Sequence, residues 1–176
     1  MRIFGLAGWS GSGKTTLLTA VIPDLVARGL TVSTIKHAHH EFDIDRPGKD
    51  SWRHREAGAH EVMVASARRW AIMHELRGAP EPSLDELVAR MSPSVDLLLV
   101  EGWKHHPHPK LEVHRPSLGK PLLYPGDPHV VAIATDEAFA APLPLLPLGD
   151  PGAVASFIAD HLGLAADHRR VEPWRS

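Results

Sequence analysis

Gly8-Trp9-Ser10-Gly11-Ser12-Gly13-Lys14-Thr15 is the most informative run of residues in this chain. It satisfies the pattern G-x-x-x-x-G-K-[ST], in which a glycine-rich turn presents backbone N–H groups to a phosphate. A short apolar run at 2–7 precedes it, and apolar residues at helical spacing follow it from 17 to 26, until Gly29. The β-branched run 31–35 predicts a second strand. The chain therefore opens with a βαβ unit, which predicts a parallel sheet with a right-handed crossover.

The remaining elements continue this alternation. The continuous apolar run 95–100 is typical of a strand that is buried on both faces of a sheet. We therefore predict an α/β fold with a doubly wound, mostly parallel sheet, the P-loop NTPase fold. The other predicted elements are a hairpin from 62–65 and 70–76, a helix through Ala57 with Asp50 as a candidate N-cap, a helix from the Ser83 and Glu86 capping box through Met91, strands at 111–114 and 130–135, and a last helix from Asp150 and Pro151 to about His161.

The composition excludes several kinds of chemistry. The 176 residues contain no Cys, Asn or Gln, so the chain has no disulfide, no thiolate metal site and no glutamine to orient an attacking water. A net charge of -2 gives no bulk positive field for nucleic acid or a membrane surface. No apolar run approaches the roughly 20 residues that span a bilayer. We predict a cytoplasmic protein without nucleic-acid or membrane partners, with one nucleotide-binding domain over 1–163 and a C-terminal tail over 164–176.

The glycine-rich run predicts a site for a nucleotide and a magnesium ion. Lys14 is expected to contact the β- and γ-phosphates, Thr15 to coordinate Mg²⁺, and Thr16 to lie near the α-phosphate. The helix that begins at Lys14 adds the positive end of its dipole. The predicted nucleotide-binding residues of this run are Gly8, Trp9, Ser10, Gly11, Ser12, Gly13, Lys14, Thr15 and Thr16.

A carboxylate at a later strand end completes the predicted site. Asp96 and Glu101 bracket the strand at 95–100, and ligands of open α/β sheets bind beyond the carboxyl ends of the strands. We therefore predict Glu101 as a magnesium ligand with Thr15 and as a catalytic residue with Lys14. Asp96 lies at the other end and is expected to cap a turn or form a salt bridge. The residues that follow the second strand at the nucleotide edge, and so are expected to face phosphate, are Lys36 and His37.

Longer motifs in the chain resemble those of one family. They are Thr34-Ile35-Lys36-His37-Ala38-His39-His40 with its continuation at 45–51 and 57–59, Glu101-Gly102-Trp103-Lys104, Pro109-Lys110-Leu111-Glu112-Val113-His114-Arg115, and Ala134-Thr135-Asp136. Over residues 1–136 the chain resembles the molybdopterin-guanine dinucleotide biosynthesis adapter family, MobB. The resemblance implies a GTP-binding P-loop protein of the SIMIBI branch that is dimeric and is at most a weak GTPase. It also implies a role in assisting the guanylyltransferase that attaches GMP to molybdopterin.

The resemblance also implies where GTP and Mg²⁺ lie. The P-loop holds them and the loop at 37–51 rims the site together with 101–104, so Lys104 joins the nucleotide-binding residues. Guanine recognition needs a separate argument, because the usual N-K-x-D sequence requires Asn. A carboxylate accepts hydrogen bonds from both N1–H and the amino group of guanine, whereas N1 of adenine is itself an acceptor. Asp136, at the end of a predicted strand, is the first candidate for this role, and Asp150 is the second.

Three other functions stay open at this point. Two histidine clusters behind strand ends favour a nickel-insertion metallochaperone GTPase, since neutral imidazoles bind Zn²⁺ or Ni²⁺. A small-molecule kinase would use arginines to cover the phosphates, and an interaction protein would pair through the apolar ribbon at 70–76. The histidines are His37, His39, His40, His105, His106 and His108, and the arginines are Arg46, Arg53 and Arg55.

Overall fold

The computed structural model of the chain describes residues 1–38 and 42–164, which form two compact units. The first unit contains Met1–His37 and the described residues from Met91 onward, and the second is Ala38–Arg90. The domain boundaries drawn from the sequence, 1–163 and 164–176, stay predictions. The tail beyond Leu164 lies outside the described residues.

The secondary structure follows the predicted order. The first unit contains β1 (Arg2–Ala7), α1 (Lys14–Ala27), β2 (Val32–Lys36), β5 (Leu97–Glu101), β6 (Lys110–His114), β7 (Val130–Thr135), β8 (Leu145–Pro147) and α4 (Pro151–His161). The second contains α2 (Asp50–Glu56), β3 (Glu61–Ala65), β4 (Trp70–His74) and α3 (Leu84–Val88). The predicted βαβ opening, the hairpin and the last helix are confirmed.

Six parallel strands form the sheet of the first unit, in the order β2-β5-β1-β6-β7-β8. On one side of β1 the chain forms β2 at the edge of the sheet and then β5 between β2 and β1. It later forms β6, β7 and β8 in succession on the other side of β1. This reversal beside β1 makes the sheet doubly wound, and it places a ligand crevice at the carboxyl end of β1. The predicted α/β fold with a doubly wound parallel sheet is confirmed.

One face of this sheet carries the hydrophobic core. Phe4 and Leu6 of β1 point to this face, together with residues of β5, β6 and β7. Because α1 repeats its apolar residues at helical spacing, it lays one buried stripe on the sheet beside the buried residues of α4. The helical part of the core consists of Leu17, Leu18, Val21, Leu25, Val154, Ala155 and Ile158.

The opposite face of the sheet is covered by loops and contains buried polar side chains. Gly5 of β1 carries no side chain, and the ring of His108 packs directly against it. Lys110 and Glu112 on β6 point to this face and are fully buried. The carboxylate of Glu112 accepts hydrogen bonds from the backbone N–H groups of Leu123 and Tyr124, at 2.8 and 2.9 Å. Side chains of β6 thus hold the connecting loops on this face of the sheet.

The second unit combines the β3–β4 hairpin with two short helices. The predicted capping box of α3 is confirmed, because the Ser83 hydroxyl accepts from the Glu86 N–H while the Glu86 side chain accepts from the Ser83 N–H. The helix ends at Val88, so the prediction that it reaches Met91 was wrong. Asp50 is the first residue of α2 and does not cap it, because Lys49 occupies the N-cap position.

Candidate nucleotide site

The loop between β1 and α1 has a backbone that depends on glycine. Gly8 has φ 150° and Gly13 has φ 98°, a range that L side chains rarely adopt. A Cβ on Gly8 would stand 2.5 Å from the Val113 carbonyl oxygen, so a larger residue would push the loop away from β6. Gly13 precedes α1 and supplies no side-chain cap, which leaves the first N–H groups of the helix available to an anion.

The other residues of the loop form its tip and its attachments. Ser10 and Gly11 are exposed at the tip. Ser12 is buried, and its hydroxyl has no hydrogen-bond partner within residues 1–38 and 42–164. The indole N–H of Trp9 donates to the Pro121 carbonyl at 2.7 Å, which ties the loop to the connection after β6. Ser10 and Gly11 of the loop are therefore exposed to solvent, while Trp9 is held by its hydrogen bond to Pro121.

Lys14 curls back over the loop. Its Nζ donates to the carbonyl oxygens of Gly8 at 3.1 Å and Trp9 at 3.0 Å. Partial burial lowers the pKa of Lys14 and the positive charge of Lys104 adds to this effect, whereas the Glu101 carboxylate opposes it. The ammonium group of Lys14 is thus held beside the loop where a phosphate would meet it.

Thr15 and Glu101 meet at the carboxyl edge of the sheet. The Thr15 hydroxyl lies 3.0 and 3.1 Å from the two carboxylate oxygens of Glu101. Glu101 is the last residue of β5 and is 7% exposed, and its strand pairs with β1 on one side and β2 on the other. Hydroxyl and carboxylate oxygens are the hard donors that Mg²⁺ prefers. The residues present therefore fit the predicted magnesium ligands.

Two more predictions concern Asp96 and Thr16. Asp96 accepts a hydrogen bond from the Thr31 backbone N–H at 2.9 Å, so it caps a turn at the end of β5 remote from Glu101, as predicted. Thr16 is exposed in the first turn of α1, where the sequence placed it.

The residues after β2 also reach this edge. Lys36 is in register with Glu101, and the backbone N–H of His37 donates to the Glu101 carbonyl at 2.8 Å. The His37 ring lies 4.9 Å from the Trp103 ring, centroid to centroid. Gly102 has φ 116°, and a Cβ there would come within 2.6 Å of the His37 Cβ. The predicted residues from both strand ends are therefore packed together.

Arg115 is the residue of this region to which the sequence assigned no role. Its Nε donates to the Ser12 carbonyl at 3.1 Å, and its Nη1 forms an ion pair with Asp136. Arg115 thus connects Asp136 to Ser12 of the P-loop. Asp150 accepts from the Ala153 N–H at 2.9 Å and caps α4. The signal for Arg115 was its place directly after β6, next to the nucleotide edge.

The second predicted histidine cluster contains a buried ring, that of His108, and an exposed one, that of His105. His108 is buried against Gly5, its Nδ1 lies 2.9 Å from that of His106, and burial lowers the pKa of His108 to about 4. His105 is exposed. Within residues 1–38 and 42–164, no group of three or more His, Asp or Glu side chains is placed to hold a metal ion. The members that lie outside the described residues are His39 and His40.

The arginines considered for a kinase lid are in the second unit. Arg55 donates to Glu75 at 2.9 Å and to Asp43 at 2.7 Å, so its guanidinium is occupied by carboxylates. Arg46 and Arg53 are exposed. This arrangement gives the kinase interpretation no support.

The doubly wound sheet, the glycine loop at the end of β1 and the Thr15–Glu101 pair define a protein with the P-loop NTPase fold. The sequence model of one family, MobB, described as "Molybdopterin guanine dinucleotide synthesis protein B", matches residues 3–136. The chain belongs to the MobB family, as the sequence motifs predicted, and this does not favour the metallochaperone or kinase alternatives.

Two relatives extend the similarity over most of the chain. A molybdopterin-guanine dinucleotide biosynthesis adapter protein from Haemophilus influenzae is 45% identical over 162 residues, 91% of this chain and 89% of that protein. The protein of the same name from Escherichia coli is 43% identical over 160 residues, 90% of this chain and 91% of the relative.

Solved structures agree with the fold. A crystal structure of molybdopterin-guanine biosynthesis protein B is 27% identical, with a TM-score of 0.74 over 92% of this chain and 99% of that one. A MobB homologue from Bacillus stearothermophilus, at 22% identity, has a TM-score of 0.69 over 93% of this chain and 99% of that chain. Over the described ranges, no helix is long and apolar enough to cross a membrane.

Proposed function

We propose that this chain binds GTP and Mg²⁺ at its P-loop and acts as an adapter in molybdopterin guanine dinucleotide biosynthesis. The observation that carries the proposal is the contact of Thr15 with Glu101 beside the glycine loop, at 3.0 and 3.1 Å. It brings two oxygen donors for Mg²⁺ next to a loop that is open to phosphate. Family membership and the names of its relatives supply the biosynthetic role.

Different residues around the loop bind the phosphates and the metal ion. Backbone N–H groups of the glycine loop and the start of α1 hold the β-phosphate, and Lys14 neutralises charge on the β- and γ-phosphates. Thr15 and Glu101 hold the metal ion, which supplies positive charge to the phosphates when bound. Because the chain contains no Gln to align an attacking water, we expect hydrolysis to be slow.

Guanine recognition is assigned to Asp136 as first candidate. Its Oδ2 is paired with Arg115, so the other carboxylate oxygen is the one available to a base. If Asp136 reads guanine, Asp136→Ala weakens GTP binding much more than ATP binding. An equal loss for both nucleotides would show that Asp136 acts only through Arg115 on the loop. Asp150 is the weaker candidate, since one of its oxygens caps α4.

The adapter role requires partners. We infer that the chain assists a guanylyltransferase that attaches GMP to molybdopterin, contacts molybdopterin during this step, and works in the cytoplasm as a homodimer. Sedimentation of the chain alone and with the purified guanylyltransferase, each with and without GTP, tests these partners. A monomer that never co-sediments with the enzyme would contradict the adapter role.

Nucleotide binding is tested by titrating GTP, ATP and GDP with and without Mg²⁺. Lys14→Ala is expected to weaken GTP binding at least tenfold, about the value of one hydrogen bond between charged groups. Glu101→Gln is expected to remove most of the gain in affinity that Mg²⁺ gives. Arg68→Ala, at an exposed cation in the turn between β3 and β4, is the control. If Lys14→Ala and Arg68→Ala bind GTP alike, the P-loop is not the nucleotide site.

A further inference from the structure

Lys110 is a buried ammonium group to which the proposed function gives no role. It is 1% exposed and lies at the start of β6, opposite Gly5 of β1. A Cβ on Gly5 would stand 3.0 Å from the Lys110 Cβ, so the glycine makes room for this side chain and for His108. A buried charge is costly unless its hydrogen-bonding groups are all paired, so the pairing of Lys110 matters.

Three acceptors surround the Lys110 ammonium. Its Nζ donates to the carbonyl oxygens of Lys104 and His106 and to Oδ2 of Asp127, each at 2.8 Å. An ammonium group has three N–H bonds, and each of them finds one acceptor here. Two acceptors belong to the backbone of the connection after β5, and the third belongs to the turn before β7. Lys110 therefore fastens two loops to one rigid strand.

One of these fastened residues reaches the P-loop with its side chain. The Lys104 Nζ lies 4.7 Å from the centre of the Trp9 ring, which is a cation–π contact with the second residue of the glycine loop. Trp9 is itself fixed by its bond to the Pro121 carbonyl. Lys104 is thus held at its carbonyl by Lys110, at its N–H by the Gly102 carbonyl at 2.9 Å, and at its ammonium by the Trp9 ring.

We propose that Lys110 is a positioning residue of the nucleotide site, which fixes the backbone of Lys104 so that the Lys104 charge stays beside the P-loop to meet a phosphate. The proposal rests on the proposed binding of nucleotide at this loop. In Lys110→Met, a side chain of similar length donates no hydrogen bond, so the Lys104 carbonyl loses its donor and the Lys104 backbone keeps only the bond from its N–H to the Gly102 carbonyl, at 2.9 Å. The Lys104 ammonium then moves over many positions in solvent, and holding it beside the nucleotide costs conformational entropy.

A double-mutant cycle on GTP affinity tests this coupling. Lys110→Met and Lys104→Ala are each expected to weaken GTP binding about tenfold, the value of one charge-assisted hydrogen bond. The double variant is expected to lose no more than Lys104→Ala alone, because Lys110 acts through Lys104. Losses that multiply, or a Lys110→Met variant that binds GTP as well as a control variant at the exposed Arg68, Arg68→Met, would overturn the proposal.

A second variant separates positioning from folding. Lys110→Met leaves the Asp127 carboxylate without its cation, whereas Lys110→Met with Asp127→Asn removes both charges and keeps an acceptor for the His129 N–H, which Asp127 Oδ1 binds at 2.9 Å. We expect this pair to unfold at a urea concentration near that of the unmutated chain, since matched removal of a buried ion pair is often neutral. GTP binding should stay weak. Recovery of full GTP affinity together with stability would show a purely structural role.

A readout without nucleotide keeps failure of this proposal distinct from failure of the proposed function. The rate at which an amine-acylating reagent modifies Lys104, followed by mass spectrometry, is expected to rise severalfold in Lys110→Met as the amine leaves the Trp9 ring. The rate at exposed Lys49 serves as the internal control. An unmutated chain that binds no GTP refutes the proposed function, while an unchanged rate at Lys104 refutes the anchoring by Lys110.

Discussion

The buried imidazole of His108 should make the first unit less stable in mild acid. Its ordinary pKa is 6.5, and in the folded chain burial lowers it to about 4, with the positive charge of Lys110 adding to the effect. His106 and His129 also face the ring and lower its pKa, whereas Asp127 opposes them. Between these two pKa values, the His108 ring binds a proton in the unfolded chain but not in the folded chain. This contribution to stability is therefore complete above pH 6.5 and is lost as the pH falls.

The magnitude follows from the separation of the two pKa values. Each unit corresponds to about 1.4 kcal/mol, so from pH 7 to pH 5 the free energy of unfolding should fall by about 2 kcal/mol through His108 alone. Other groups titrate in this range as well, so the informative quantity is the difference between the unmutated chain and His108→Gln. That difference should shrink by about 2 kcal/mol from pH 7 to pH 5, because the variant has no imidazole at this position.

Urea unfolding at pH 7, 6 and 5 measures this difference. His105→Gln is the matched control, since His105 is exposed three residues earlier in the same connection, and its curve should run parallel to that of the unmutated chain. If the stability of His108→Gln falls from pH 7 to pH 5 as steeply as that of the unmutated chain, His108 contributes nothing to the pH dependence. The His108 ring is then protonated as readily in the folded chain as in the unfolded chain, and this reasoning is wrong.

Four further substitutions test other parts of the structure. Gly8→Ala should abolish GTP binding and destabilise the chain by about 2 kcal/mol or more, because its Cβ would stand 2.5 Å from a backbone oxygen. Gly48→Ala is the comparison: Gly48 has φ 85° and open space around it, so this substitution should cost only about 1 kcal/mol in thermal unfolding. Ser83→Ala should cost about 1 kcal/mol in urea unfolding through loss of the capping box, whereas a change near zero would contradict that role. Arg115→Met should weaken GTP and ATP binding alike in a titration, since it frees the Ser12 carbonyl and Asp136 together, and a loss confined to GTP would place Arg115 in base recognition.

The sequence predicted the fold and the phosphate loop because both depend on local patterns. Alternating apolar runs and a glycine motif between a strand and a helix are visible in neighbouring residues, and so is the Asp150 cap of α4. The position of Glu101 beside Thr15 could be predicted because a strand end is a local feature and parallel strands bring their ends to one edge. The short strand β8 was missed, since its three residues, Leu145–Pro147, show no periodicity and end in a proline.

Residues that act across the sheet could not be found in this way. The partners of Arg115, at Ser12 and Asp136, are 103 and 21 positions away along the chain. Asp136 looked like a free carboxylate at a strand end, and only the fold shows that one of its oxygens is paired. His108 looked like one member of a metal cluster, whereas its burial against Gly5 depends on the way the connection after β5 crosses β1.

The two faces of β1 therefore support the phosphate loop by different physical means. On one face Phe4 and Leu6 pack into the apolar core, where the loss of a methyl group costs stability that grows with the cavity left behind. On the other face Gly5 admits Lys110 and His108, whose hydrogen bonds fix the direction of the loops that carry Lys104. Apolar contacts tolerate small shifts, but a three-acceptor ammonium site does not, because each N–H bond needs its own partner. A polar network beneath the loop that bears Lys104 thus specifies the position of the Lys104 backbone, whereas an apolar core on the same face would let that position vary.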